Sequence, residues 1–354
     1  MDILSEGVIN YDNIRGKVNA TEKEIECFGV KDGDLLFQRS SETLEDVGRA
    51  NVYMDNRTAI YGGFVIRGRK IGNYDPLFFK YLLATPLARK RTCRMGAGAQ
   101  HFNIGQEGLS KISLYFPSIE EQRKIAGFLS LIDERIATQN KIIEKLQSLI
   151  KGLNDNIHKG IKGETVCFSD LGEAYSGLSG KGGDDFGYGE PFITYMNVHQ
   201  NTYISEKDYE LVQIVPNEKQ NSVQYSDALF TLSSETPEEV GIGAVYLGNT
   251  QKLYLNSFCF GIHFYDERVL PQYLAHFISS SSFRKAIYPL AQGSTRFNLQ
   301  KKDFMKMKFL LPSLEKQGRI ANTLDALHCR LANEKSLMEQ YILLKKYLLS
   351  QMFI

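Results

Sequence analysis

The chain has 354 residues, 43% of them hydrophobic and 23% charged, with a net charge of +1. These values exclude disorder and a fibrous fold, provide no overall electrostatic drive toward nucleic acid, and suit two cores of ordinary size. No apolar run approaches the roughly 20 residues of a membrane helix. The start, Met1-Asp2-Ile3-Leu4-Ser5-Glu6, lacks the basic and apolar regions of a secretion signal, so the chain is expected in the cytoplasm. Its five cysteines contain no C-x-x-C pair and are expected as buried free thiols rather than disulfides or a zinc ribbon. The six histidines show no ligand spacing, so no metal site is expected.

In chain order, residues 33–37 and 61–66 read as strands. A short helix opens at Pro76, the favoured first helical position, with Phe79, Leu82 and Leu83 on one face. A glycine-flanked loop over 98–103 follows, then a strand-like run ending at Phe116-Pro117-Ser118. Ser118, with Glu121 three residues on, is a capping box that starts a long helix. In that helix Ile125, Leu129, Ile132, Ile136, Gln139, Ile143, Leu146, Ile150 and Leu153 keep a four-three spacing, the seam of a coiled coil.

The same order then returns. Phe102, Asn103, Pro117, Gln122 and Ile125 recur 195 residues later as Phe297, Asn298, Pro312, Gln317 and Ile320, and Ser40-Ser41-Glu42-Thr43 recurs as Ser233-Ser234-Glu235-Thr236. Strands are expected over 228–232 and 243–247, and a helix from Pro271 with Leu274, Phe277 and Ile278 on its face. The second long helix places Ile320, Leu324, Leu327, Leu331, Glu334, Met338, Tyr341, Lys345 and Leu348 on the matching seam, with Lys316 in place of the capping carboxylate. A helix of that size is about 50 Å long at about 1.5 Å per residue, so it must project from its domain. The fold class follows as α+β: two pseudo-twofold-related domains separated by a two-helix antiparallel coiled coil. Boundaries are expected at 1–115 and 161–310 for the domains, with spacer helices over 116–160 and 311–354.

This arrangement, with Pro117 to Ala126 and Pro312 to Ala321 carrying a duplicated P-x-x-E-x-Q-x-x-I-A, resembles the specificity subunits of type I restriction-modification enzymes over nearly the whole chain. The resemblance implies that each domain is a target-recognition domain reading half of a split site in double-stranded DNA. The helices would set the gap, so that one heptad inserted into each adds about three base pairs to it. It further implies docking of two modification (methyltransferase) subunits on the helical regions, with restriction (motor and nuclease) subunits joining through the complex. S-adenosylmethionine, ATP and Mg²⁺ would act in those partners, and this chain would have no catalytic residue. The motifs agree. Gly180-Lys181 has Tyr175 where a phosphate-binding loop needs its first glycine, and Asp75-Pro76-Leu77-Phe78 lacks the second proline of an adenine-methyltransferase motif. A stand-alone nuclease or methyltransferase and a coiled-coil scaffold that never touches DNA are the competing readings.

Base reading needs paired donors and acceptors, and phosphate positioning needs cations, hydroxyls and backbone N–H groups. The matched loops offer Gln100, His101 and Asn103 in the first half and Thr295, Arg296 and Asn298 in the second; Phe102 and Phe297 beside them read as core anchors. Ser234 and Thr236 belong to a repeated turn whose sameness suits a shared structural or phosphate role. Arg89-Lys90 and Arg284-Lys285 could track phosphates or line a solvated helix face. Lys181, in the loop Gly177-Leu178-Ser179-Gly180-Lys181-Gly182-Gly183, is the leading contact of the second domain, followed by Tyr195 and Asn197. The seam residues of both helices, with Gln122 and Gln317, are assigned to the spacer and subunit docking.

One asymmetry stands out. Matching Val8 to Ile14 with the run over 191–198 leaves the 27 residues 164–190 without a counterpart in the first half. The first domain would then miss an edge strand, leaving a pairing surface that the C-terminus or a second copy could fill.

Overall fold

The computed structural model describes residues 2–5 and 7–353. Its contacts divide the chain into two units, Met1–Ile143 with Glu334–Ile354, and Glu144–Asn333.

In the first unit an antiparallel sheet has the strand order Ala50–Val52, Leu35–Gln38, Val65–Gly68. Of the expected strand at 61–66 only Val65 and Ile66 are extended, within Val65–Gly68, while Ala59–Ile60 just before it pairs with Gly29–Val30. Helix Pro76–Ala84 starts as expected, its first turn closed by the Asp75 carboxylate accepting from the Phe78 N–H at 2.8 Å. Phe78, Tyr81 and Leu82 of this helix bury against Ala126, Leu129, Ile132 and Ile136 of the long helix Ile119–Lys159. The capping box forms, with Ser118 and Glu121 bonded reciprocally. Two contacts show how residues 119–143 meet residues 334–351 of the second long helix, Leu314–Gln351. Asp133 pairs with Lys345 at 2.5 Å, and Gln139 Nε2 donates to the Glu334 carbonyl at 3.0 Å and to its carboxylate. One number rises as the other falls, so these stretches run antiparallel. Gln139 and Glu334 are thus a buried polar pair within an apolar seam, the device that fixes register at a cost in stability.

The second unit has the fuller core. Its main sheet runs Gly243–Val245, Ala228–Thr231, Cys259–Phe264, Gly172–Ser176, all antiparallel. A further antiparallel pair joins Glu164–Cys167 to Lys308–Leu311. Phe168 lies at the centre, fully buried and stacked on Phe304 with ring centroids 5.0 Å apart. Phe230, Phe260, Phe283 and Phe309 surround them. Helix Pro271–Ser279 packs Tyr273, Leu274 and Phe277 into the same cluster as Ile320, Ala321 and Leu324.

Three expectations need correction. Ser113 to Phe116 is not a strand, although its counterpart Lys308–Leu311 is; a strand needs a partner, and among the described residues none lies beside 113–116 as Glu164–Cys167 lies beside Lys308–Leu311. Of the cysteines only Cys259 is buried, while Cys27 and Cys329 are exposed. The repeat alignment at the N-terminus also shifts. Ile9 N–H donates to Val52 O at 2.9 Å, as Ile204 N–H donates to Val245 O at 3.0 Å. Ile9 therefore matches Ile204, not a residue of the strand before Tyr195, and the unmatched segment of the second unit is 164–195 rather than 164–190. The apolar-Asn pattern shared by the two stretches had aligned them at the wrong place.

Candidate DNA interface

The two repeated motifs, far apart in each half of the sequence, lie side by side in the fold. Ser40 and Ser41 pair with Asn103 and Phe102, and Ser233 and Ser234 pair with Asn298 and Phe297, in the same antiparallel register. The loop ahead of each Phe-Asn turns at Gly98 or Gly293, both at φ +146°. A Cβ there would stand 2.0 Å from the His101 carbonyl oxygen or 2.1 Å from that of Arg296, so only glycine closes these turns. Gln100, His101 and Asn103 are exposed at one tip, and Thr295, Arg296 and Asn298 at the other. Phe102 and Phe297 are half-buried beneath them.

Arg89 and Arg284 are corrected from phosphate trackers to internal clamps. Arg89 donates to Glu45 O and Val47 O, both at 2.7 Å, and Arg284 to Glu238 O at 2.6 Å, Val240 O at 2.7 Å and Gly241 O at 2.6 Å. Each guanidinium fastens the loop that follows a Ser-Ser-Glu-Thr turn, using its planar fork on backbone carbonyls. Lys90 and Lys285 beside them remain exposed.

Other candidates are drawn inward. The Lys181 ammonium is buried against Glu218 at 2.6 Å. Glu218 also accepts from Gln220 and the Val215 N–H, and these bonds, the Lys181 contact first, hold its carboxyl at about 2. Reaching a phosphate would break that pair. Asn197 is buried, donating to Ser205 O at 2.8 Å and accepting its N–H at 3.0 Å. Tyr195 donates its hydroxyl to Ser233 O at 3.0 Å, and Ser234 Oγ donates to Glu239 at 2.9 Å, so both brace the turn that leaves Thr236 exposed.

Gln122 and Gln317 are likewise internal. Gln122 Oε1 accepts from the Asp75 N–H at 2.9 Å while its Nε2 donates to Pro117 O at 2.8 Å. Gln317 repeats this with the Leu270 N–H at 2.7 Å and Pro312 O at 2.9 Å, adding Arg268 O at 2.8 Å. The glutamine of the repeated motif therefore latches each long helix to the start of the short proline-led helix. The seam residues are also spent inside the chain: Leu129, Ile132, Ile136, Ile143, Ile320 and Leu324 are buried, and Ile125, Leu146, Leu327, Leu331, Met338 and Tyr341 half-buried. Apolar residues that the helices leave outward in the first unit include Phe128, Leu131, Leu343 and Tyr347.

Sequence reasoning missed Phe258. Its ring is half exposed and the Arg296 guanidinium lies over it, 5.6 Å from the centroid, a cation–π contact that presents the arginine in a set orientation. The turn signal was available, since Asn256 caps the Phe258 N–H at 2.9 Å. The separation of 38 positions between Phe258 and Arg296 hid the pairing.

Among the described residues, no group of three or more His, Cys, Asp or Glu side chains could hold a metal ion, and no helix is long and apolar enough to cross a membrane.

Residues 3–148 and 163–340 each match the model of the type I restriction modification DNA specificity domain. The chain is 23% identical over 99% of its length, and 84% of the relative's, to a Methanocaldococcus jannaschii chain assigned as the type I restriction enzyme MjaX specificity subunit. It is 22% identical over 83% of its length to the EcoKI specificity subunit of Escherichia coli K12, covering 67% of that protein. A structure solved in work on complex assembly and conformational transition of the type I restriction-modification system shares the fold, with a TM-score of 0.58, 16% identity, and coverage of 91% of this chain and 81% of that one.

Proposed function

Because the chain belongs to the type I restriction modification DNA specificity family, whose domain it carries twice, we propose that it is the non-catalytic, sequence-reading subunit of such a complex. In this reading it binds a bipartite site in double-stranded DNA and directs methyltransferase and endonuclease subunits there. S-adenosylmethionine, ATP and Mg²⁺ are used by those partners. One observation carries the proposal. The two hairpin tips rest on the same frame, with the same register, glycine turn and arginine clamp, yet they expose Gln100-His101 in one unit and Thr295-Arg296 in the other. A constant frame with variable exposed side chains is what reading two different half-sites requires. Arg296 has the fork geometry for a guanine edge, and Phe258 orients it. The outward Phe128, Leu131, Leu343 and Tyr347 offer apolar area for a partner subunit.

The test is the methylation motif written by the complex assembled with its methyltransferase subunits. A split motif is expected, and Arg296→Ala should relax one half of it and leave the other half intact. A motif unchanged by Arg296→Ala would remove this residue from base reading. Methyl transfer or cleavage by the chain alone, given DNA, Mg²⁺ and S-adenosylmethionine, would make it an enzyme. Failure to bind DNA at low salt even with partners added would leave the scaffold reading.

A further inference from the structure

The short helix that follows each hairpin tip carries a different charge pattern in the two units. In the second unit Lys301–Met305 begins two positions after the strand Phe297–Leu299, and its Phe304 anchors it on Phe168 in the core. In the first unit Gln106–Ser110 stands at the same place in the repeat.

Lys302 and Lys306 are four positions apart, about one helical turn, and both are exposed. Among the described residues neither ammonium has a hydrogen-bond or ion-pair partner. Like charges at this spacing repel each other along a helix. Their counterparts 195 positions earlier are Glu107 and Lys111, which form an ion pair at 2.6 Å. The first unit thus neutralises its lysine within the helix, whereas the second turns two unpaired cations outward.

A third cation joins them. Lys301 Nζ donates to Ser176 Oγ at 3.2 Å, a neutral hydroxyl that orients the ammonium and leaves its charge uncompensated. Ser176 ends its strand opposite Phe260, and the Gly177 N–H donates to Cys259 O at 3.2 Å. Cys259 directly follows Phe258, the ring beneath the Arg296 guanidinium. Lys301 and Arg296 therefore stand at the same end of the main sheet. In the first unit the neutral Gln106 takes the place of Lys301.

We propose, resting on the DNA-reading function above, that Lys301, Lys302 and Lys306 contact the phosphates beside the half-site met by the Arg296 tip. The second unit then supplies the larger share of the salt-dependent affinity. A lysine ammonium meets phosphate as a point charge without regard to the base, so these contacts set position and affinity, and Arg296 sets sequence. Each neutralised phosphate releases counterions, which makes the contribution readable in the salt dependence.

The experiment measures DNA binding by the complex assembled with its methyltransferase subunits, from about 50 to about 200 mM salt. In the triple variant Lys301→Gln, Lys302→Gln, Lys306→Gln the slope of log K against log salt should shrink by about 2.7, and affinity at about 0.1 M should fall on the order of 100-fold. The methylated motif should stay the same. The charge-neutral pair Glu107→Gln with Lys111→Gln should leave the slope unchanged. Ethylation interference gives the position: the phosphates that cease to matter in the triple variant should flank the half-site relaxed by Arg296→Ala. An unchanged slope, or interference weakened evenly along the whole site, would overturn the proposal. Lys302→Glu restores the charge pattern of the first unit, and should weaken DNA binding while the melting temperature holds or rises. A fall in both would assign the lysines to folding and overturn the proposal as well. A wild-type complex that binds no DNA removes the functional reading together with this one; a wild type that writes a split motif beside a triple variant of unchanged slope removes this proposal alone.

Discussion

The two units are one design with and without residues 164–195, and the difference separates frame from core. The hairpin register, the glycine turn, the arginine clamp and the glutamine latch are present in both. The single large aromatic cluster is present only where Phe168 and its strands enter. In the first unit the apolar residues form smaller separate clusters, one around Ile9 and Tyr53 and another around Val47 and Ile104. The presentation of the tips therefore rests on local hydrogen bonding, while the second unit's tight core rests on a long-range insertion.

If so, Phe304 and its counterpart Leu109 should respond very differently to truncation. Phe304→Ala opens a cavity among fully buried rings and should cost about 3–5 kcal/mol. Leu109→Ala, at a half-buried position, should cost about 1–2 kcal/mol, because a site already open to water loses less on truncation. Chemical denaturation of each variant measures this; equal costs would contradict the core difference.

The latches should behave alike. Gln122→Ala and Gln317→Ala each strand a buried N–H and at least one carbonyl, and each should lower stability by about 1–3 kcal/mol, Gln317 at the upper end because of its third bond. A latch needed in just one unit would show as one silent variant in the same denaturation series.

The smallest effect is one of pH and belongs to the second unit alone. Burial pulls the His158 and His276 imidazoles below their ordinary value, although for His276 the Asp325 carboxylate at 2.7 Å opposes this. Both are therefore neutral in the fold, while the unfolded chain takes up protons below about 6.5. Stability from these groups is fully present above that pH and drains away as pH falls from 6.5 toward the lowered folded values. Hydrogen exchange of the amides of Tyr273 and Phe277, whose rings pack on His158, should accelerate between about pH 7 and about pH 5 after correction for intrinsic rates. His158→Phe should flatten that change by on the order of 1 kcal/mol. The same probes on Tyr81, the counterpart of His276, should stay flat.

The tertiary contacts also explain where sequence reasoning stopped. The duplication, the proline-led helices, the capping box and both seams were legible because each depends on residues within a few turns of one another. Arg89 and Arg284 looked like surface cations because nothing local reveals the carbonyls of Glu45, Val47, Glu238, Val240 and Gly241 that receive them, more than forty positions away. Lys181 read as the leading DNA contact of the second domain because nothing in its glycine loop reveals Glu218, 37 residues on, which pairs with it. Cys27 and Cys329 were assigned to the interior on residue type alone. The C-terminus, considered as a filler for the open edge, instead seats Phe353 on Phe78, 5.2 Å between centroids.

By itself the sequence determined that the chain is a tandem repeat, which local elements each copy holds and which family it belongs to, because periodicity, caps and repeated motifs are properties of neighbouring residues. Only the tertiary structure decided which polar side chains face water and which are spent inside. It also decided that residues 113–116 remain unpaired while Lys308–Leu311 forms a strand. Pairing and burial are settled by partners distant in the chain, and a strand without its partner has no reason to form.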